Sequence, residues 1–284
     1  MTTLNNQEIL PIGFGTWKMG GTHIKDTTND TQEIAAIRYA LQQGITFING
    51  AEVYGDGHTD ELIGEAAKGF NSAILASKLK RETLMAPETI EERTRAIAQR
   101  LGRPTIDLLY VHWAFPDADM REYLPAMFAL VDKGLVRAIG VSNFDLEQLK
   151  RAQKIAEGLG HRISAIENVY SLLNRGGAIH PAVNLIQPGF DADLQEYCRA
   201  NDILMVAYTP TYKGNVRDNL IVQKIASSHE ATPIQVALAW HIHQGIVPIV
   251  KSSQPTHIDE NLSALKVKLT AQEMEELNAI VPEL

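Results

Sequence analysis

PETIEERTRAIAQRLGRPTIDLLYVHW, residues 87–113, carries the pattern that decides the fold. Pro87 sits where a helix can begin without losing a hydrogen bond, an amphipathic period follows, and Gly102 supplies a stop. A short apolar run, Ile106–His112, comes next and ends on an imidazole. The same alternation extends in both directions. TQEIAAIRYALQQG, from a Thr31 cap to Gly44, leads into ITFI, and strand-like runs recur to the end of the chain. They lie near Pro11–Gly15, Ile45–Ile48, Ser72–Ser77, Ile106–His112, Arg137–Val141, Ile163–Ile166, Ile203–Tyr208 and Val247–Val250. Repeated βα units predict a parallel sheet. The even spread of these runs, with no polar linker between them, predicts closure into one α/β (β/α)8 TIM barrel over residues 1–284 rather than an open doubly wound sheet.

Composition narrows the function. With 284 residues and a net charge of −8, the chain lacks the cationic surplus that phosphate neutralisation needs, so nucleic acid is not an expected partner. The single cysteine, Cys198, in the helical segment DADLQEYCRAN, supports neither a disulfide framework nor a thiolate metal site. No apolar run is long enough to span a bilayer, and no cationic stretch leads into an apolar one at the N-terminus. A cytoplasmic protein with no membrane partner is expected, while oligomeric state leaves no mark in the sequence. His241 and His243 in AWHIHQG project from different sides of a helix, so no metal is expected.

In such a barrel the chemistry lies at the carboxyl ends of the strands. There the sequence offers Asn49 and Tyr54 in NGAEVYG, Lys78 in SK, His112 in HW, and Ser142 and Asn143 in SNF. A phenol, an ammonium and an imidazole around one mouth suit protonation of a carbonyl oxygen while hydride arrives at carbon.

The segments GITFINGAEVYG, ILASKL, LLYVHW, AIGVSNF, AYTP and VPIVKSSQPTHIDEN together resemble, in order and over nearly the whole chain, the signatures of aldo-keto reductases. The resemblance implies NADP-dependent hydride transfer between nicotinamide and a small aldehyde or ketone. It implies Tyr54 as proton donor, assisted by Lys78 and with His112 orienting the carbonyl. It places the nicotinamide against Ser142, Asn143, Glu167 and the ring of Tyr208, and the rest of the cofactor along Gly15, Thr16, Trp17, Lys251, Ser252, His257, Glu260 and Asn261. Trp17, Met19, Trp113 and Phe115 are the implied substrate pocket. GFGTWKMGG is not a Rossmann fingerprint, because Lys18 occupies a position that requires glycine. Lys251 suits a 2′-phosphate, so NADP is favoured over NAD, although His257 stands where many NADP-specific members have arginine.

Two residues depart from the family pattern. Asn49 replaces the usual aspartate, so Lys78 is expected to lose its charged partner, its cationic form and part of its influence on Tyr54. On that expectation activity is weakened, and Asn49→Asp should raise it. Glu167 replaces the usual glutamine and adds negative charge beside the nicotinamide, which favours the oxidised ring. The competing reading is an NADP(H)-binding redox sensor with little catalysis, for which Asn49 is the main argument.

Overall fold

Side chains alternate across a strand, so in a closed sheet one parity fills the lumen and the other meets the helices. The computed structural model, which describes residues 2–4 and 7–282, obeys this rule throughout. Eight parallel strands close into a barrel: β1 (Gly13–Gly15), β2 (Phe47–Asn49), β3 (Ile74–Leu79), β4 (Leu108–Val111), β5 (Ile139–Ser142), β6 (Ala165–Val169), β7 (Leu204–Tyr208) and β8 (Ile246–Val250). Each pairs with its sequence neighbour, and β8 returns to β1. All eight expected runs are strands of this barrel.

Inward positions such as Phe47, Ile74, Ala76, Leu108, Tyr110, Ala165, Val206 and Ile249 form one cluster inside the barrel. Leu4 and Ile9, from a hairpin of Thr2–Leu4 with Gln7–Ile9, belong to the same cluster. Outward positions such as Ile48, Leu75, Leu109, Ile139, Ile166 and Met205 pack in a second layer beneath the helices. Burying a side chain of this size stabilises by about 1.5–3 kcal/mol, and the two layers together drive closure.

The helix after β1 spans Asp30–Gln42, with Asn29 rather than Thr31 at its N-cap position. Gly44 then turns the chain with φ +93°. The helix that follows Pro87 covers Ile90–Arg100 after one 3-10 turn, and Gly102 has φ +63°. Cys198 lies buried on the helix Ala192–Ala200, where burial pushes its thiol up to about 12. No helix among the described residues is long and apolar enough to cross a membrane.

Candidate active site

The inward parity that fills the barrel with Ile, Ala and Tyr turns polar at the carboxyl end of each strand. In β3 it runs Ile74, Ala76, Lys78; in β6, Ala165 then Glu167; in β2, Phe47 then Asn49. Continued by the same count, it brings His112, Ser142 and Tyr208 to the same mouth. These side chains line or lie beneath a cleft of about 1320 Å³ that also takes in Gly15, Thr16, Trp17, Tyr54, Trp113 and Phe115. Tyr54 itself comes from the turn after β2, close to Trp17 (ring centroids 4.7 Å apart) and His112 (6.0 Å).

Beneath Tyr54 three side chains form a knot. Lys78 Nζ, 5.6 Å from the centre of the Tyr54 ring, donates to Asn49 Oδ1 at 3.0 Å and to the Gly50 carbonyl at 2.8 Å. Asn49 Nδ2 in turn donates to Glu167 Oε2 at 3.0 Å, and Glu167 Oε1 lies 3.3 Å from Lys78 Nζ. The expectation that Lys78 lacks a charged partner is therefore corrected: a carboxylate is present, but it arrives from β6, across the lumen. Burial pulls the lysine pKa below its ordinary value, while the charge of Glu167 and its hydrogen bond pull it back up. Position 50 must be small here, because a Cβ would meet Ile63 Cδ1 at 2.8 Å and Asp60 Oδ1 at 3.1 Å.

Burial, followed by the charge of Glu167, holds the Tyr54 phenol far above its ordinary value. The expected easing of proton release by Lys78 is outweighed by burial and then by the charge of Glu167. Tyr54 thus remains a protonated O–H donor at neutral pH. Burial, and then the charge of Lys78, hold the His112 imidazole well below its ordinary value, so it is neutral with one N–H to donate.

The remaining expected residues divide. Asn143, at φ +59°, donates from its amide to the His112 carbonyl (3.0 Å) and to Ser142 Oγ (3.1 Å), and accepts from the Tyr208 hydroxyl at 2.7 Å. The Thr16 hydroxyl donates to the Asn49 carbonyl at 2.9 Å, which ties β1 to β2 beside the knot. Lys251, His257, Glu260 and Asn261 line the far end of the cleft. Glu260 Oε1 already accepts from the Thr232 hydroxyl at 2.7 Å. Two residues fall outside the cleft lining. Met19 is fully buried in the layer under the helices, where its flexible thioether fills the core rather than a substrate pocket. Ser252 points its hydroxyl back at its own turn, donating to the Gln254 carbonyl and accepting from the Gln254 N–H.

No sequence pattern marks the loop after β6. Residues 171–190 fold over the mouth with a small hairpin, Ile179–His180 against Leu185–Ile186, whose His180 ring lies 5.3 Å from that of Trp113. Gln187 Nε2 donates to the Tyr208 hydroxyl at 2.7 Å and so pins the loop to β7. Gly176 closes the base of the loop: at φ +96°, with a Cβ only 2.2 Å from Gly189 N, no other residue fits without movement. Nothing in the polar, Gly- and Pro-containing segment itself signals that it covers the site.

No sequence pattern singles out Asp60 either. It is fully buried behind β3, accepts from Ser77 Oγ at 3.1 Å and pairs with Arg100 at 3.4 Å. Burial nevertheless raises its pKa to about 6. The unfolded carboxyl ionises near 4, so between that pH and about 6 the native state keeps a proton the unfolded chain has lost. Stability on this account falls as pH rises across that window. Asp60→Asn should flatten that part of the curve. Thermal midpoints of both proteins measured against pH check it, and parallel curves would contradict it.

A family model of the aldo/keto reductase family matches residues 11–282. The chain belongs to that family. A methylglyoxal reductase of Escherichia coli is 30% identical over 95% of this chain and 90% of its own length. A probable aldo-keto reductase of Glycine max is 27% identical over 97% and 86%. Among solved structures, a thermostable aldo-keto reductase bound to the inhibitor epalrestat superposes with a TM-score of 0.87 at 31% identity, covering 99% of this chain and 98% of that one. An aldo/keto reductase of Klebsiella pneumoniae in complex with NADP and acetate gives 0.84 at 27% identity, covering 97% and 93%. For this aldo/keto reductase the comparisons thus agree with the (β/α)8 barrel read from the alternation of strands and helices.

Proposed function

We propose that this chain is an NADP-dependent reductase of small aldehydes and ketones. The observation that carries the reading is the convergence of Tyr54, Lys78 and His112 at one end of the barrel, two of them in the cleft wall and the lysine directly behind. In this reading Tyr54 gives its proton to the carbonyl oxygen as negative charge develops there. The neutral His112 N–H donates a second hydrogen bond to the same oxygen and fixes its orientation. Trp17, Trp113 and Phe115 form apolar walls, and with His180 on the loop they leave room for a small carbonyl body. Reactive α-oxo aldehydes are the first class to test, in keeping with the E. coli relative's name.

The residues fit a dinucleotide. Lys251 makes no hydrogen bond or ion pair among the described residues, and the Asn261 side chain makes no hydrogen bond there either, which leaves a cation and an amide for a phosphate and a base. Ser142, Asn143, Glu167 and Tyr208 would hold the nicotinamide end. When bound, the reduced nicotinamide supplies the hydride, and the chain supplies position and proton. The redox-sensor alternative rested on Asn49, and the Glu167 carboxylate 3.3 Å from Lys78 Nζ weakens that argument.

The test is NADPH consumption with a panel of aldehydes and ketones beside a fluorescence titration of NADPH; binding with no turnover of any carbonyl would reject the reading. Lys251→Ala is expected to weaken NADPH by about 1.5–3 kcal/mol, the worth of a charged hydrogen bond. NADH binding should be nearly unchanged, and equal losses for both cofactors would remove the phosphate role.

A further inference from the structure

We propose that Glu167 is the counter-ion of Lys78, a positioning residue on β6 that carries out the task a carboxylate at position 49 on β2 would otherwise perform. The inference deepens the proposed function, because it rests on Lys78 acting behind Tyr54.

Lys78 is 1% exposed, and an ammonium so buried needs a nearby opposite charge. The other buried acids in the neighbourhood are engaged elsewhere. Asp60 faces the outer side of β3 and is held by Ser77 and Arg100. Glu52 accepts from the Lys80 N–H and the Thr83 hydroxyl and lies 3.8 Å from Arg93. Among the described residues only Glu167 brings a carboxylate oxygen within ion-pair distance of Lys78 Nζ.

Asn49 makes this arrangement possible. Its oxygen accepts from Lys78 and its NH2 donates to Glu167, so the network fixes which way the amide points and every polar atom is matched. An aspartate in its place has no proton for Glu167: two carboxylates would face each other at the same contact, competing for one ammonium. The amide on β2 and the acid on β6 are therefore a matched pair, and exchanging either alone breaks it. Exchanging both, to aspartate at 49 and glutamine at 167, restores one acid, one amide and one lysine. The other titratable groups facing Lys78 are Tyr54, Tyr110, whose ring centre is 5.6 Å from Nζ, His112, and Asp60 from behind. None of them changes in the exchange.

The experiment is a double-mutant cycle on the full chain: the parent, Asn49→Asp, Glu167→Gln and the combination. Thermal midpoint and kcat/KM against pH are measured for an activated aldehyde with NADPH. In the parent background Asn49→Asp is expected to lower the midpoint, to lower kcat/KM at neutral pH about tenfold, the equivalent of one pKa unit, and to add an ionisation to the pH profile. In the Glu167→Gln background the same substitution is expected to raise both quantities, and the double variant should recover a profile of the parent's shape. The deciding readout is the reversal of sign in the midpoint, since a merely structural role for either residue predicts additive losses. The same sign in both backgrounds overturns the proposal. Should none of the proteins, parent included, turn over any carbonyl, the proposed function fails, and the midpoints still decide whether Glu167 is the counter-ion.

Discussion

Tyr54→Phe is expected to lower kcat/KM for carbonyl reduction by about 10²–10⁴-fold, the range typical of losing a positioned general acid. The ring stays, so its contacts with Trp17 at 4.7 Å and His112 at 6.0 Å persist and only the O–H is removed. NADPH affinity measured by fluorescence should change little. Burial holds the phenol protonated well beyond neutral pH, so the loss should be nearly uniform from mildly acidic to mildly alkaline conditions. A variant retaining more than a tenth of parent activity would mean that another group, with His112 the nearest candidate, delivers the proton.

Trp240→Ala is expected to cost about 3–5 kcal/mol of stability, as for other fully buried aromatic side chains. At this chain length that corresponds to a fall in midpoint of roughly 5–8 °C. Trp240 lies on the helix Pro233–His243, fully buried, with its ring stacked on Tyr170 at 5.0 Å and its indole N–H donating to Asn278 Oδ1 at 2.8 Å. The Arg175 guanidinium sits 5.6 Å from the indole ring and donates to the carbonyls of Leu277 and Asn278. Tyr170 and Arg175 flank the start of the loop that covers the mouth, so this ring joins the helix Ala271–Asn278 to the base of that loop. KM for the carbonyl should therefore rise more than the NADPH dissociation constant. Differential scanning calorimetry and steady-state kinetics check the two halves. A midpoint within about 2 °C of the parent, about one kcal/mol by the same conversion, would mean that the core closes over the gap.

Much of this protein was legible in its sequence because the signals are local. An apolar run of alternating parity between helices specifies a strand and which of its residues face inward. The polar residue two places beyond the last apolar inward one, Lys78 after Ala76 or Glu167 after Ala165, then falls at the barrel mouth. Asn49, Lys78 and His112 could be named on that basis, Tyr54 as a polar residue in the turn that follows β2, and the family likeness implied roles for them. Met19 was misjudged because being close in sequence to Trp17 says nothing about the direction of a side chain in an irregular turn, and Met19 packs under the helices.

What the sequence could not decide was the partner of Lys78. Asn49 and Glu167 are 118 residues apart and come from β2 and β6, strands separated by three others around the barrel. No local pattern links them. Read singly, one is a missing acid and the other an unexplained one. Only closure of the sheet sets both against the same ammonium in a lumen narrow enough for their side chains to meet. The conclusion about the partner of Lys78, though not the downward direction of its pKa, thus changed between sequence and structure, because ion pairing in a barrel is fixed by distance across the lumen, while the sequence specifies only the order around it.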